Sequence, residues 1–158
     1  MKITIACVGK IKEKFYRDAV DEYIKRLSRY MPTEIKEVSD EKAPESLSEK
    51  QEQQIMEAEG QRLLKNIKDS CVVALDIKGK KMTSPQFAEF LSNAMIEGNS
   101  HVTFVIGGSL GLSQQIKDKA DYKISFSDMT FPHQLMRVVL LEQIYRANRI
   151  IKGEPYHK

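Results

Sequence analysis

The chain has 158 residues, 41% of them apolar and 30% charged. That suits one folded domain with a sizeable core and argues against disorder. Its two cysteines, Cys7 and Cys71, have no partners at metal-ligand spacing, so the pattern of a zinc site is absent and buried free thiols are expected. The first apolar run, Ile3–Val8, is too short for a signal peptide or a membrane span, and a reduced, cytoplasmic protein of one domain (1–158) is expected.

Lys2–Val8 is a β-rich run ending at Gly9, and Glu13–Tyr30 carries apolar residues at the spacing of an amphipathic helix, stopped by Met31-Pro32. Thr33–Val38 alternates like an edge strand, and a charged loop follows. Ser48 and Gln51 then suit the capping box of a helix over Glu49–Ile67. Cys71–Asp76 is a continuous apolar strand, after which Lys78-Gly79-Lys80 is expected to turn the chain. Ser84-Pro85 supplies a cap followed by proline at the first helical position, for a helix running to about Glu97 and closed by Gly98. His101–Ile106 is a buried strand, Ser113 caps a short helix to Ala120, Tyr122–Phe126 is the last strand, and Gln134–Ile151 the last helix. The alternation predicts an α/β fold, a largely parallel sheet with helices on both faces. In such folds ligands bind beyond the carboxyl ends of strands, so the loops after Leu75, Ile106 and Phe126 are the places to look.

The net charge is +3, and its distribution is uneven. Pro132–Lys158 holds five basic residues against two acids, Met1–Met31 eight against four, and Ser39–Glu59 seven acids against two lysines. Two basic ends flanking an acidic middle fit either ordinary solvated faces or a phosphate-facing surface built from both ends.

Gly107-Gly108-Ser109-Leu110-Gly111 lets backbone approach a ligand closely, yet it matches neither the dinucleotide fingerprint nor the P-loop. Phe126 to Gln134 places small polar residues between two phenylalanines, then hands over to a helix start suited to anionic groups. His133 fits a structural role as well as a chemical one. The last helix holds eight apolar residues between Leu135 and Tyr145, too many for a surface helix. Burial against the sheet and a homodimer partner is the economical expectation. Glu142 and Arg146 can pair at i,i+4, leaving Arg137 and Arg149 for phosphate. Tyr156-His157-Lys158 is either a frayed end or a compact set for stacking, proton transfer and phosphate contact.

Taken in order, Phe104-Val105-Ile106-Gly107-Gly108-Ser109-x-Gly111-Leu112, Met129 to Gln134, Arg137-Val138 and terminal Tyr156-His157-Lys158 resemble the SPOUT-class 23S ribosomal RNA pseudouridine N3-methyltransferases, the H family. The resemblance extends to Lys2–Gly9, Glu59-Gly60 and the Leu75-Asp76-x-x-Gly79 segment, and so spans the chain. It implies a C-terminal trefoil knot, S-adenosylmethionine (SAM) as methyl donor, and a homodimer acting on 23S rRNA in the assembled ribosome. Carried onto matching positions, cofactor contacts fall on Leu75, Gly107 and the run Phe126, Ser127, Asp128, Met129, Thr130 and Phe131. The catalytic candidates it raises are His157 as base or orienter of a water, Tyr156 on the target base, and Lys158 with Arg137 on phosphate. No metal is expected, because a sulfonium is already an activated donor. Two alternatives remain: a non-catalytic ribosome-binding or assembly factor using the same basic ends, and a flavin or nucleotide enzyme on a doubly wound sheet.

Overall fold

Alternating side chains of strand β1 (Lys2–Val8) enter two separate cores: Ile3, Ile5 and Cys7 on one side, Ala6 and Val8 on the other. The structure, a computed structural model, describes residues 1–158. The remaining elements are α1 (Lys14–Leu27), β2 (Thr33–Val38), α2 (Glu49–Leu64), β3 (Cys71–Lys81), α3 (Ser84–Ile96), β4 (His101–Ile106), α4 (Gln114–Lys119), β5 (Tyr122–Ser125) and α5 (His133–Ile151). All strand pairs are parallel, in the order β2-β1-β4-β3-β5. Helices α1, α3 and α5 cover one face, where Phe87, Leu91, Phe104, Leu140 and Ile144 are fully or almost fully buried. Helices α2 and α4 cover the other through Leu63 and Ile116. A sheet buried on both faces explains why β3 opens on an unbroken apolar run, Cys71–Leu75, and why β4 is apolar from Val102 to Ile106 apart from the buried Thr103.

Local expectations are refined at several points. Lys78-Gly79-Lys80 does not end the strand: β3 runs on to Lys81, but the chain bends on the way, because Leu75 and Lys80 both pair with Ile124 of β5. Gly79 is there for space, since a Cβ would lie 2.7 Å from backbone atoms of Lys123 and Ile124. Helix α3 is capped by Thr83 rather than Ser84. Gln86 stands at the third helical position from Thr83, and the two exchange side-chain and backbone bonds in a capping box. Helices α1 and α2 also end three residues earlier than their apolar patterns suggest.

β5 lies at one edge of the sheet, next to β3. Yet Arg137, in the second turn of α5, bonds the carbonyls of Val8 and Gly9 at the end of β1, beyond both β3 and β4. The segment from Phe126 to Pro132 therefore crosses the carboxyl ends of the central strands. That crossing creates the site.

Candidate active site at the strand ends

A cleft of about 1070 Å3 opens where β3, β4 and β5 end. Leu75, Gly107, Phe126, Ser127, Met129, Thr130 and Phe131 all line it, together with His133 and Met136 from α5. Three loops far apart in sequence are thus joined in one concavity of ligand size. The crossing segment is ordered by its own short bonds: Ser125 Oγ donates to the Ser127 carbonyl (3.0 Å), and Ser127 Oγ accepts from the Met129 amide (3.0 Å). Gly107 sits where a Cβ would lie 2.6 Å from the Gly111 carbonyl carbon, so the glycine loop closes tightly against itself.

Asp128 and Arg137 lie elsewhere. Asp128 does not line the cleft; it points outward and pairs with Lys81. Arg137 has no exposed surface. Its guanidinium donates to the carbonyls of Val8 (2.9 Å) and Gly9 (2.8 Å) and to Glu37 (2.8 Å). A cation with no exposed surface cannot hold an external phosphate, so its role here is to position α5. Arg149 is likewise engaged, by Glu154 (2.6 Å) and the Pro155 carbonyl (2.9 Å), and the expectation that both arginines are free for phosphate is overturned.

The C-terminal tail is anchored rather than frayed, and it sits apart from the cleft, whose lining stops at Met136. Glu154 receives Tyr30, Arg149 and Arg29. The hydrogen bond from Tyr30, with help from the two arginines, holds its carboxyl below the usual range. Tyr156 packs edge-on against Tyr145 (5.0 Å between centroids), lies under Arg146, and donates to Glu142 (3.1 Å). The predicted Glu142–Arg146 pair forms at 2.6 Å. His157 Nδ1 lies 3.3 Å from an Arg146 nitrogen. Arginine has only donors, so Nδ1 accepts and the neutral ring carries its proton on Nε2. Lys158 is exposed. The burial of α5 is accounted for largely within one chain, by the sheet, α1, α3 and this tail.

Several residues in and beside the cleft are not assigned to it by sequence. Gln53, Met56 and Glu57 form one wall; their i, i+3, i+4 spacing marks a helix face, but nothing in sequence says what that face meets. Half-buried His133 stands between the cleft and Gly9, its pKa lowered by burial and then by Arg137. Glu59, 4% exposed, lies behind the glycine loop: a Cβ on Gly108 would be 3.1 Å from its carboxylate. Burial raises its pKa. No group of three His, Cys, Asp or Glu side chains is placed to hold a metal ion, and no helix is long and apolar enough to cross a membrane.

A family model described as predicted SPOUT methyltransferase matches residues 1–157. The chain belongs to the SPOUT methyltransferase family. Over 159 aligned positions covering all of both chains, it is 58% identical to "Ribosomal RNA large subunit methyltransferase H 1" of Clostridium perfringens. It is 60% identical to "Ribosomal RNA large subunit methyltransferase H" of Clostridium botulinum, again over all of both chains. The fold is also that of a tRNA methyltransferase from Aquifex aeolicus (TM-score 0.55, 12% identity, 92% of this chain and 70% of that one). A methyltransferase from Legionella pneumophila, solved in complex with the cofactor SAM, is similar too (TM-score 0.52, 11% identity, 94% and 66%). The SPOUT frame agrees with the absence of a dinucleotide fingerprint, since the cleft is built from β3, β4 and β5 rather than from the loop after β1.

Proposed function

We propose that this SPOUT protein is a SAM-dependent methyltransferase of the large ribosomal subunit, a cytoplasmic enzyme of one domain that methylates N3 of a pseudouridine in 23S rRNA. The observation that carries the reading is the cleft shared by Leu75, Gly107 and the Phe126–Phe131 segment. Its residues fit the cofactor. Leu75, Ile106, Ile124, Phe126 and Met136 give an apolar bed for an adenine, and Gly107 leaves room for close backbone approach. Glu57 and Asp76 suit the cationic ammonium and sulfonium, while Lys117, 3.4 Å from Asp76, suits a carboxylate. Asp128 is outside this set as a side chain, although its backbone belongs to the crossing segment. The trefoil implied by the family resemblance is supported by the path of that segment across the ends of β3 and β4.

When bound, the cofactor supplies a methyl group already activated by its sulfonium. The protein's contribution is alignment and management of the N3 proton. In a homodimer, which we propose, the tail of one protomer faces the cleft of its partner, so that Tyr156 and His157 meet the target base. With Nδ1 accepting from Arg146, His157 presents Nε2–H. That geometry suits orienting a water or the base, and direct proton uptake by His157 requires the Arg146 contact to give way. Lys158, exposed and without an ion pair, is the tail cation free for phosphate.

Mass spectrometry of ribosomal RNA from cells lacking the protein tests this reading. Loss of the methylated pseudouridine is expected, and an unchanged signal would sink the assignment. Calorimetry with SAM separates an enzyme from a ribosome-binding factor, which would not bind it.

A further inference from the structure

We propose that the corner between β1 and α1 is an RNA-docking platform, on which Phe15 stacks an unpaired base while Lys10 and Lys12 hold the adjoining phosphates. The proposal rests on the rRNA-methyltransferase reading above and extends it to a surface outside the cleft. Phe15 is 65% exposed, more than any other aromatic ring of the chain. Tyr16 backs it at 4.4 Å between centroids. Phe15 stands on the first turn of α1, and the loop leading into that turn is fixed: Arg17 donates to the Ile11 carbonyl (3.0 Å), and the Ile11 amide donates to Glu37 (2.9 Å). An exposed ring on a held backbone loses little freedom when a base settles on it.

The surrounding charge selects the partner. Lys10 and Lys12 are exposed and form no ion pair, while Lys14 pairs with Asp18. Glu37, the carboxylate against this loop, is already occupied by Arg137 and the Ile11 amide, which leaves Glu13 as the acid of the corner. Helix stability would favour a hydroxyl cap and acids in the first turn. α1 begins with Lys14 and, like α5, has no side-chain cap and no acid in its first turn. Lys10, Lys12 and the open helix start thus give a positive field around an aromatic ring, with Glu13 at the cap position as its opposing charge. A protein partner's interface core would disfavour these charges, but single-stranded RNA is held by this combination of stacking and phosphate contact. The corner also adjoins the active site, because Gly9 lies against His133, which lines the cleft.

The chain has no tryptophan, so Phe15→Trp places a lone indole at the platform. Its emission should be quenched by an unstructured RNA oligonucleotide and not by heparin, which has the charge without bases. With ribosomes from cells lacking the protein, Phe15→Ala should raise KM for the ribosome on the order of tenfold. SAM affinity by calorimetry and kcat should stay unchanged, and Phe15→Trp should restore KM. Replacing Lys10 and Lys12 by Gln should flatten the salt dependence of that KM. Equal quenching by heparin, or a Phe15→Ala KM indistinguishable from wild type, overturns the platform. So does dissociation of a dimer by Phe15→Ala in sedimentation, which would make the ring a contact between copies. If the wild-type protein fails to methylate ribosomes, the functional reading fails, and the indole quenching still decides the platform.

Discussion

Arg137 reaches across 128 positions of sequence to donate to the Gly9 carbonyl at 2.8 Å. The same nitrogen bonds the Val8 carbonyl, and its neighbour bonds Glu37. One side chain therefore sets where α5 begins relative to the end of β1, and with it the span of the segment that roofs the cleft. Replacing Arg137 with Met leaves two backbone carbonyls without this partner, at roughly 1–3 kcal/mol each. Glu37, with 35% of its side chain exposed, can return to water. Urea unfolding should show a loss of about 2–6 kcal/mol, and calorimetry a weakened affinity for SAM. Arg137→Lys keeps the charge but cannot serve three acceptors in a fixed fork, so it should fall between the two. A stable Met variant with full cofactor affinity would remove Arg137 from the positioning of the site.

Sequence reasoning reached the strands, their burial and the three loops because each leaves a local mark: unbroken apolar runs, glycines, hydroxyl caps. The positions it misplaced depend on contacts between distant segments. Gly79 reads as a turn, and what sequence does not show is the backbone of β5 passing so close that a Cβ has no room. Arg137 reads as a free cation on an otherwise apolar helix, and only the fold brings Val8, Gly9 and Glu37 around it. The tail reads as an end, because its anchors Tyr30 and Arg29 lie more than a hundred residues away. The proposed cofactor contacts at Leu75, Gly107 and Phe126–Phe131 rest on the family resemblance, since periodicity alone leaves those segments as turns.

Gly107 tests the cleft directly. In Gly107→Ala the new methyl group would meet backbone atoms of Gly111 at 2.6 and 2.7 Å and the Leu112 amide at 3.0 Å. Backbone cannot swing aside as a long side chain can, so the glycine loop must open. Calorimetry should register the change as SAM binding weakened by at least about tenfold, roughly 1.4 kcal/mol. Unaltered binding would mean that the loop tolerates displacement and does not shape the site.

Glu59 makes stability depend on pH in a direction opposite to that of an ordinary salt-bridged carboxylate. Burial raises its folded pKa above the reference value of 4.5, so the native state holds a proton that the unfolded chain releases. Stability from this group is therefore fully present below about pH 4.5 and declines as pH rises through the folded pKa. Glu59→Gln, which stays neutral, should be more stable than wild type at pH 7–8, with the gap closing towards pH 4.5. Chemical denaturation at a series of pH values measures it. A gap that stays constant with pH would show that Glu59 does not titrate differently on folding.

Glu154 is the first anchor of the C-terminal tail. Its carboxylate collects Tyr30, Arg149 and Arg29, two residues before the ring of Tyr156 settles on Tyr145 and Arg146. Glu154→Ala removes the first anchor without touching the cleft. Hydrogen exchange should quicken across Lys152–Lys158, while calorimetry returns the wild-type affinity for SAM. Methylation should drop, on the order of a hundredfold if His157 must be held in register with the target base. Acid should mimic the mutation, because a carboxyl held below its ordinary pKa contributes its attachment above about pH 4.5 and loses it as pH falls through the folded value. If exchange at the C-terminus quickens and methylation stays at the wild-type rate, the tail is a structural clasp and the proton must be managed elsewhere. His133, which already lines the cleft beside Gly9 with its pKa lowered by burial, would then be the next imidazole to substitute.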